Sequence, residues 1–252
     1  MEEFHDIVDK TKRYYKFTPS ELRNVIVTIV VLSFIIAFRQ FNLINIINSL
    51  LIVSLSVLVH LLAQRITGLS VGYLSEYKLW SFGLLFAVIL AFISNGAIWL
   101  LIPGGIIVHH MAGHRIGFHR YGVDILGVGL IALWGSVASM FLAILFKILY
   151  AAFPLAFLQK AMMFNIGFAI YTMLPIPPLN GSRLFFGTRM VYIFSLASIV
   201  GAGILLLTKI PVIISIIGSL LIGLICWLLY YIFFEKYYWP TPYPGGHSKK
   251  PK

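Results

Sequence analysis

The chain has 252 residues, 60% apolar and 11% charged, and its eight acidic residues face nineteen Lys and Arg for a formal charge of +11. Such a composition excludes a globular domain in water, which needs far more polar surface. The basic residues fall between apolar segments and do not gather into a face or stripe, so they point to membrane topology and away from nucleic acid as a partner.

The distribution of the acids narrows the chemistry. Glu2, Glu3, Asp6, Asp9 and Glu21 lie near the start and Glu235 near the end, leaving Glu76 and Asp124 for everything between. A mechanism that needs several carboxylates in the apolar body is short of them. The single cysteine, Cys226, sits in an apolar run and can form no intramolecular disulfide. The first twenty residues are charged and lack an apolar core, so no cleavable signal peptide is expected.

In chain order, the sequence divides into a tail over residues 1–20, a polytopic membrane domain over 21–236 and a basic tail rich in proline and aromatics over 237–252. Charge-free windows at 24–38, 40–64, 79–108, 125–146, 161–182, 190–208 and 210–234 are the candidate spans. Most approach the ~20 residues that cross a hydrocarbon core. Thr18-Pro19-Ser20-Glu21 is a helix start, with Thr18 as cap and Glu21 able to reach back. Arg23 and Arg39 bracket the first window and can snorkel. Asp124 is placed to cap the helix beginning near residue 125, and Glu76 to pair with Lys78, Arg65 or nearby backbone. The last residues, with interfacial aromatics followed by lysines, suggest an aromatic belt and a disordered basic end.

Charge bias decides how many windows cross. If every window crosses once, Lys and Arg divide almost evenly between the two sides. If 79–108 enters and returns, one side collects the first five (Lys10, Lys12, Arg13, Lys16, Arg23), then Arg65, Lys78, Arg115, Arg120, Arg183, Arg189 and the last four lysines. The other side keeps Arg39, Lys147, Lys160 and Lys209. Asn95-Gly96 and Pro103-Gly104-Gly105 supply turn signals inside that window. The expectation is an all-α membrane protein with six transmembrane helices, a re-entrant or membrane-apposed hairpin at 79–108, and both termini cytoplasmic.

The segment from Asn165 to Arg183, NIGFAIYTMLPIPPLNGSR, places three prolines, amides and glycines where a spanning helix should be. Either a helix ends at Leu174 and a proline-rich loop lies among headgroups, or a broken helix lines a site. Non-helical backbone at membrane depth needs protein or a watery cavity around it.

On these residues the chain resembles the site-2 protease family of intramembrane zinc metalloproteases. LPIPPLNG, Leu174 to Gly181, is similar to that family's LPIPPLDG segment, with Asn180 where the family has a zinc-binding aspartate. His60-Leu61-Leu62-Ala63-Gln64 resembles HExxH, with Leu61 at the general-base position and Gln64 at the second histidine. The following AQRITGLSVGYLSEYKLW looks like the archaeal branch of the family, and Gly135-Ser136-Val137-Ala138-Ser139 like an eroded form of its Gly-Pro pair followed by Asn. The resemblance implies a site-2-protease-like core, a degenerate metal site at His60, Gln64 and Asn180, and a substrate groove at Pro175, Pro177, Pro178, Leu179 and Gly181.

One imidazole and two neutral amides are poor zinc ligands, and Leu61 cannot take a proton from water. No cofactor is therefore expected, with zinc only if an atypical site operates. His60 and Gln64 share a helix face one turn apart, so with Asn180 they can form a neutral hydrogen-bonded cluster. His110, His114 and His119, beside Arg115 and Arg120, offer a second candidate metal set; their blander reading is an interfacial loop that meets lipid headgroups. Three functions compete: a catalytically inactive pseudoprotease that binds transmembrane segments, an active intramembrane zinc metalloendopeptidase with an atypical site, and a small transporter or channel. The expected partners are the lipid bilayer and transmembrane helices of other proteins.

Overall fold

The computed structural model describes residue 14, residues 16–110 and residues 124–236. In chain order these form α1 (Pro19–Ala37), α2 (Leu43–Val71), β1 (Tyr73–Leu79), α3 (Ser81–Ile93), β2 (Gly104–His110), α4 (Ile125–Ala152), α5 (Ala156–Thr172), α6 (Asn180–Gly187), α7 (Arg189–Leu207) and α8 (Val212–Tyr230). Five helices among the described residues are long and apolar enough to cross a membrane: α1, α2, α4, α7 and α8 with its π-helical extension to Glu235. A bilayer is the environment such helices require. At 17 residues α5 is shorter than any of these and more polar, carrying Gln159, Lys160 and Asn165.

The two start signals hold. The Thr18 hydroxyl accepts from the Glu21 N–H, and the Asp124 carboxylate accepts from the Leu126 and Gly127 N–H groups. Two helices run past the charge that closed their windows. The second continues seven residues beyond Gln64 to Val71, since Arg65 finds a partner in the interior, its Nη2 donating to Glu21 Oε2 at 2.8 Å. In α4, Lys147 donates to the carbonyls of Leu205, Thr208 and Ile210, so a cation caps the carbonyl end of α7.

The fold is not purely helical. Gly72, in the left-handed conformation at φ +85°, closes α2, and β1 then pairs antiparallel with β2 in register from Tyr73↔His110 to Leu79↔Gly104. The alternation of β1 is only partly apolar, Tyr73, Ser75 and Tyr77 turning inward while Glu76 and Lys78 turn out. That is why a span-by-span reading passes over it. The segment 80–103 thus leaves and returns at the same end. It descends as α3, turns at Asn95 (φ +50°) and Gly96 (φ +71°), and climbs back as extended chain. Tyr77 lies beside Glu21, with its N–H donating to Glu21 Oε1, while Gly96 packs on the Arg39 backbone. The excursion therefore runs alongside all of α1, roughly 28 Å of helix. The return strand is tolerated at such depth where protein covers it, and Leu101, Ile102 and Pro103 are buried.

Glu76 pairs differently from expectation. Its carboxylate accepts from the Thr18 and Ser20 hydroxyls and lies 3.8 Å from His109 Nε2, because Arg65 is committed to Glu21 and the Ser75 carbonyl. At the far end of the bundle, α7 and α8 pack through a seam of Ser215, Ser219 and Gly223 against α7 residues such as Ser198 and Gly201, small side chains letting the backbones approach.

The Glu21–Arg65 pair is the fastening of α1, α2 and β1, and both side chains are buried. Glu21→Gln is expected to lower stability by about 3–5 kcal/mol, since it leaves a buried guanidinium without its counter-charge. A double Glu21→Gln, Arg65→Met variant should recover most of the loss. Thermal unfolding of the detergent-solubilised chain checks this, and an unchanged midpoint in Glu21→Gln would show that the pair does not seat β1.

Candidate functional site

His60 and Gln64 sit one turn apart on the inner face of α2, and α4 comes against them at Gly135. A Cβ at Gly135 would lie 2.5 Å from Gln64 Nε2 and 2.6 Å from His60 Nε2. Only glycine lets α4 approach so closely. One turn further along α4, Ser139 Oγ is 2.9 Å from His60 Nδ1 and donates its own hydrogen to the Gly135 carbonyl. His60 therefore carries its proton on Nδ1 and presents an unprotonated Nε2. Asn180 Nδ2 donates to that nitrogen at 3.3 Å. The edge of the Phe168 ring packs against the imidazole, with centroids 5.0 Å apart.

Asn180 reaches this position because the chain breaks. α5 ends at Thr172, the Met173 N–H bonding back to the Ile170 carbonyl and the Leu174 N–H to the Tyr171 carbonyl; the proline-rich turn then carries a cis Pro177–Pro178 bond, and α6 starts at Asn180. Gly181 permits the turn, since a Cβ there would overlap the Met173 carbonyl. Between the two sequence alternatives, the helix both ends near Leu174 and restarts, and the restart delivers Asn180 to His60. Pro175, Pro177 and Pro178 are exposed, whereas Leu179 and Gly181 are buried and support the turn from within.

The excursion closes the site from the third side. Tyr77, Pro103 and Gly104 join Val57, His60, Leu61, Gln64, Phe168 and Asn180 around a cavity of about 10 Å³, room for about one water. The Tyr77 hydroxyl donates to the Pro103 carbonyl at 2.9 Å and accepts from Thr28 at 2.7 Å. Burial raises the Tyr77 pKa well above its ordinary value, so the phenol stays a donor. Gln64 donates to the Ala132 carbonyl at 3.4 Å instead of to either partner. Its Oε1 and the Asn180 Oδ1 are buried and accept no hydrogen bond within the described structure.

Sequence reasoning missed Tyr77 in this cluster, and it marked Gly135 and Ser139 only as parts of an eroded family element, without assigning them to His60. The i, i+4 spacing of Gly135 and Ser139 was the available signal. His110 ends β2, while His114 and His119 lie outside the described residues. Among the described residues no three His, Cys, Asp or Glu side chains come together as a metal set.

The chain is 26% identical over 178 residues to a Methanocaldococcus jannaschii protein named "Putative zinc metalloprotease MJ0611", covering 68% of this chain and 85% of that relative. No family model matches the chain, and no solved structure matches it. Zinc of the kind that relative's name implies does not fit the residues present. Leu61 brings no oxygen, the cluster offers one imidazole nitrogen and two neutral amides, and among the described residues no anion lines it to offset a divalent charge in an apolar interior. The two orphaned amide oxygens, Gln64 Oε1 and Asn180 Oδ1, suit the protons of a water.

Because His60 and Gln64 lie directly on Gly135, Gly135→Ala is expected to destabilise the fold by about 1–3 kcal/mol through overpacking. Ser139→Ala should cost about 1–3 kcal/mol, since it removes both hydrogen bonds of the hydroxyl and leaves the buried His60 Nδ1–H without its acceptor. Midpoints of thermal unfolding in detergent compare the two, and a neutral Gly135→Ala would refute the close approach of α4 to α2.

Proposed function

We propose that the protein is a membrane-embedded homologue of the site-2 proteases that has lost hydrolysis and binds transmembrane segments. In this reading α5 is the sixth crossing helix, both termini are cytoplasmic and the cell membrane holds the chain. The observation that carries it is the Asn180 amide bonded to His60 Nε2, on a scaffold that brings the two motif segments together without a carboxylate. A hydrolytic centre of this kind needs ligands and a general base acting as one unit. Here the ligand position holds a neutral amide and the base position holds Leu61. The exposed Pro175, Pro177 and Pro178 turn lies next to the cluster and offers the surface against which a client helix would rest.

The cavity of about 10 Å³ beside the buried Asn180 weighs against the transporter reading, which needs a hydrated path. The active-protease reading differs from ours in two measurable respects, its metal and its cleavage of a helical substrate. Metal analysis of the purified chain is expected to find no bound zinc. The triple variant Leu61→Glu, Gln64→His, Asn180→Asp should acquire near-stoichiometric zinc and cleave a helical peptide substrate. Zinc in the unmodified protein that disappears in His60→Ala would overturn the proposal, and a triple variant that folds yet binds no zinc would sink the claim of a retained scaffold.

A further inference from the structure

Beside the proline turn, α4 and α6 enclose a recess of about 520 Å³ with Val128, Pro178 and Phe186 in its walls and Arg183 as its cation. The polar groups around Arg183 are already committed. The Ser182 hydroxyl donates to the Leu179 carbonyl at 2.7 Å. Asp124, adjoining the recess at the start of α4, spends its two carboxylate oxygens on the Leu126 and Gly127 N–H groups. Arg183 Nε is buried and has no hydrogen-bond partner in the described structure. Burial without a counter-charge also pulls its pKa below the usual guanidinium value. A half-buried guanidinium whose Nε has lost water and found no acceptor gains from an anion at that nitrogen.

The rim says what kind of anion. Ile125 and Phe186 are 62% and 70% exposed, so an apolar surface runs outward from the cation toward the space around the helices. A ligand that satisfies both features carries an anionic head and an apolar stem. A single Asp or Glu side chain would leave most of the recess unfilled, whereas a phosphodiester with its glycerol matches the volume and the planar fork of arginine. Arg183 also lies six residues before Arg189 at the start of α7, the level of a helix end where headgroups gather. We propose that this recess is a seat for one anionic phospholipid, its phosphate on Arg183 and its chains over Phe186 and Ile125. The seat shares Pro178 with the surface offered to a client helix, but it rests on Arg183 and stands whether or not the chain hydrolyses peptides.

The test uses the full chain purified in detergent, with native mass spectrometry counting retained lipid and thermal unfolding reading its effect. Phosphatidylglycerol is expected to be retained about fivefold better than phosphatidylcholine, the worth of one interfacial cation. The preference should fall to about onefold in Arg183→Gln and persist, weakened, in Arg183→Lys. Lys209→Gln, at the opposite end, should leave it unchanged. If Arg183→Gln does not fold, Val128→Phe fills the recess while keeping the cation, and it must also abolish the preference. Equal retention of the two lipids, or a preference that survives both Arg183→Gln and Val128→Phe, overturns the proposal. So does a stabilisation reproduced by inorganic phosphate alone, which would assign the seat to a soluble phosphate compound, or one reproduced only by an acidic peptide, which would assign it to a protein partner.

Discussion

The buried contact between Glu21 and Arg65 holds together three elements that sequence order keeps apart. One carboxylate oxygen takes the Arg65 guanidinium and the other takes the Tyr77 N–H, while the guanidinium also holds the Ser75 carbonyl and stacks its carbon on Phe17 at 4.4 Å. Two charges out of water are costly, and their attraction repays this only where further hydrogen bonds satisfy both. Here those further bonds go to β1 backbone. The pair therefore fixes where the strand lies, the strand fixes Tyr77, and Tyr77 in turn brings Pro103 and Gly104 to the His60 cavity.

Within that frame the central cluster is organised without net charge. Each polar group acts through direction: Ser139 sets the imidazole tautomer, and the tautomer leaves Nε2 to receive Asn180. An amide at position 180 points an N–H at the imidazole, where a carboxylate of the same shape would present only oxygen lone pairs. The histidine is held by a donor at one nitrogen and gives its proton at the other, an arrangement that suits a structural tie between α2, α4 and the broken helix.

Much of the helical architecture was legible in the sequence, and the gaps have a common origin. Apolar windows located α1, α2, α4, α7 and α8, and the turn residues Asn95 and Gly96 marked the reversal of the excursion. Windows close at the first charge, however, so α2 was cut at Gln64 and α4 at Phe146 although Arg65 and Lys147 are satisfied by residues far away in sequence. The strands escaped because β1 alternates Tyr, Ser and Tyr inward with Leu, Glu and Lys outward, and β2 reads as the tail of an apolar run. His60, Gln64 and Asn180 could be picked out by spacing and resemblance. Ser139 stood out only inside the GSVAS segment, and its bond to His60 could not be read there, since a serine announces no partner until α4 is docked on α2.

Lys147 carries a consequence for how the chain is made. Its acceptors begin at Leu205, 58 residues further along, so during synthesis the ammonium reaches its place before the carbonyls it caps exist. Until α7 is delivered, the charge must rest among water and headgroups at the edge of α4. Arrival of the last helical pair then draws that cation onto the exposed end of α7, which gives the order of insertion an electrostatic latch: the final hairpin is captured by a residue that has been waiting since the middle of the chain.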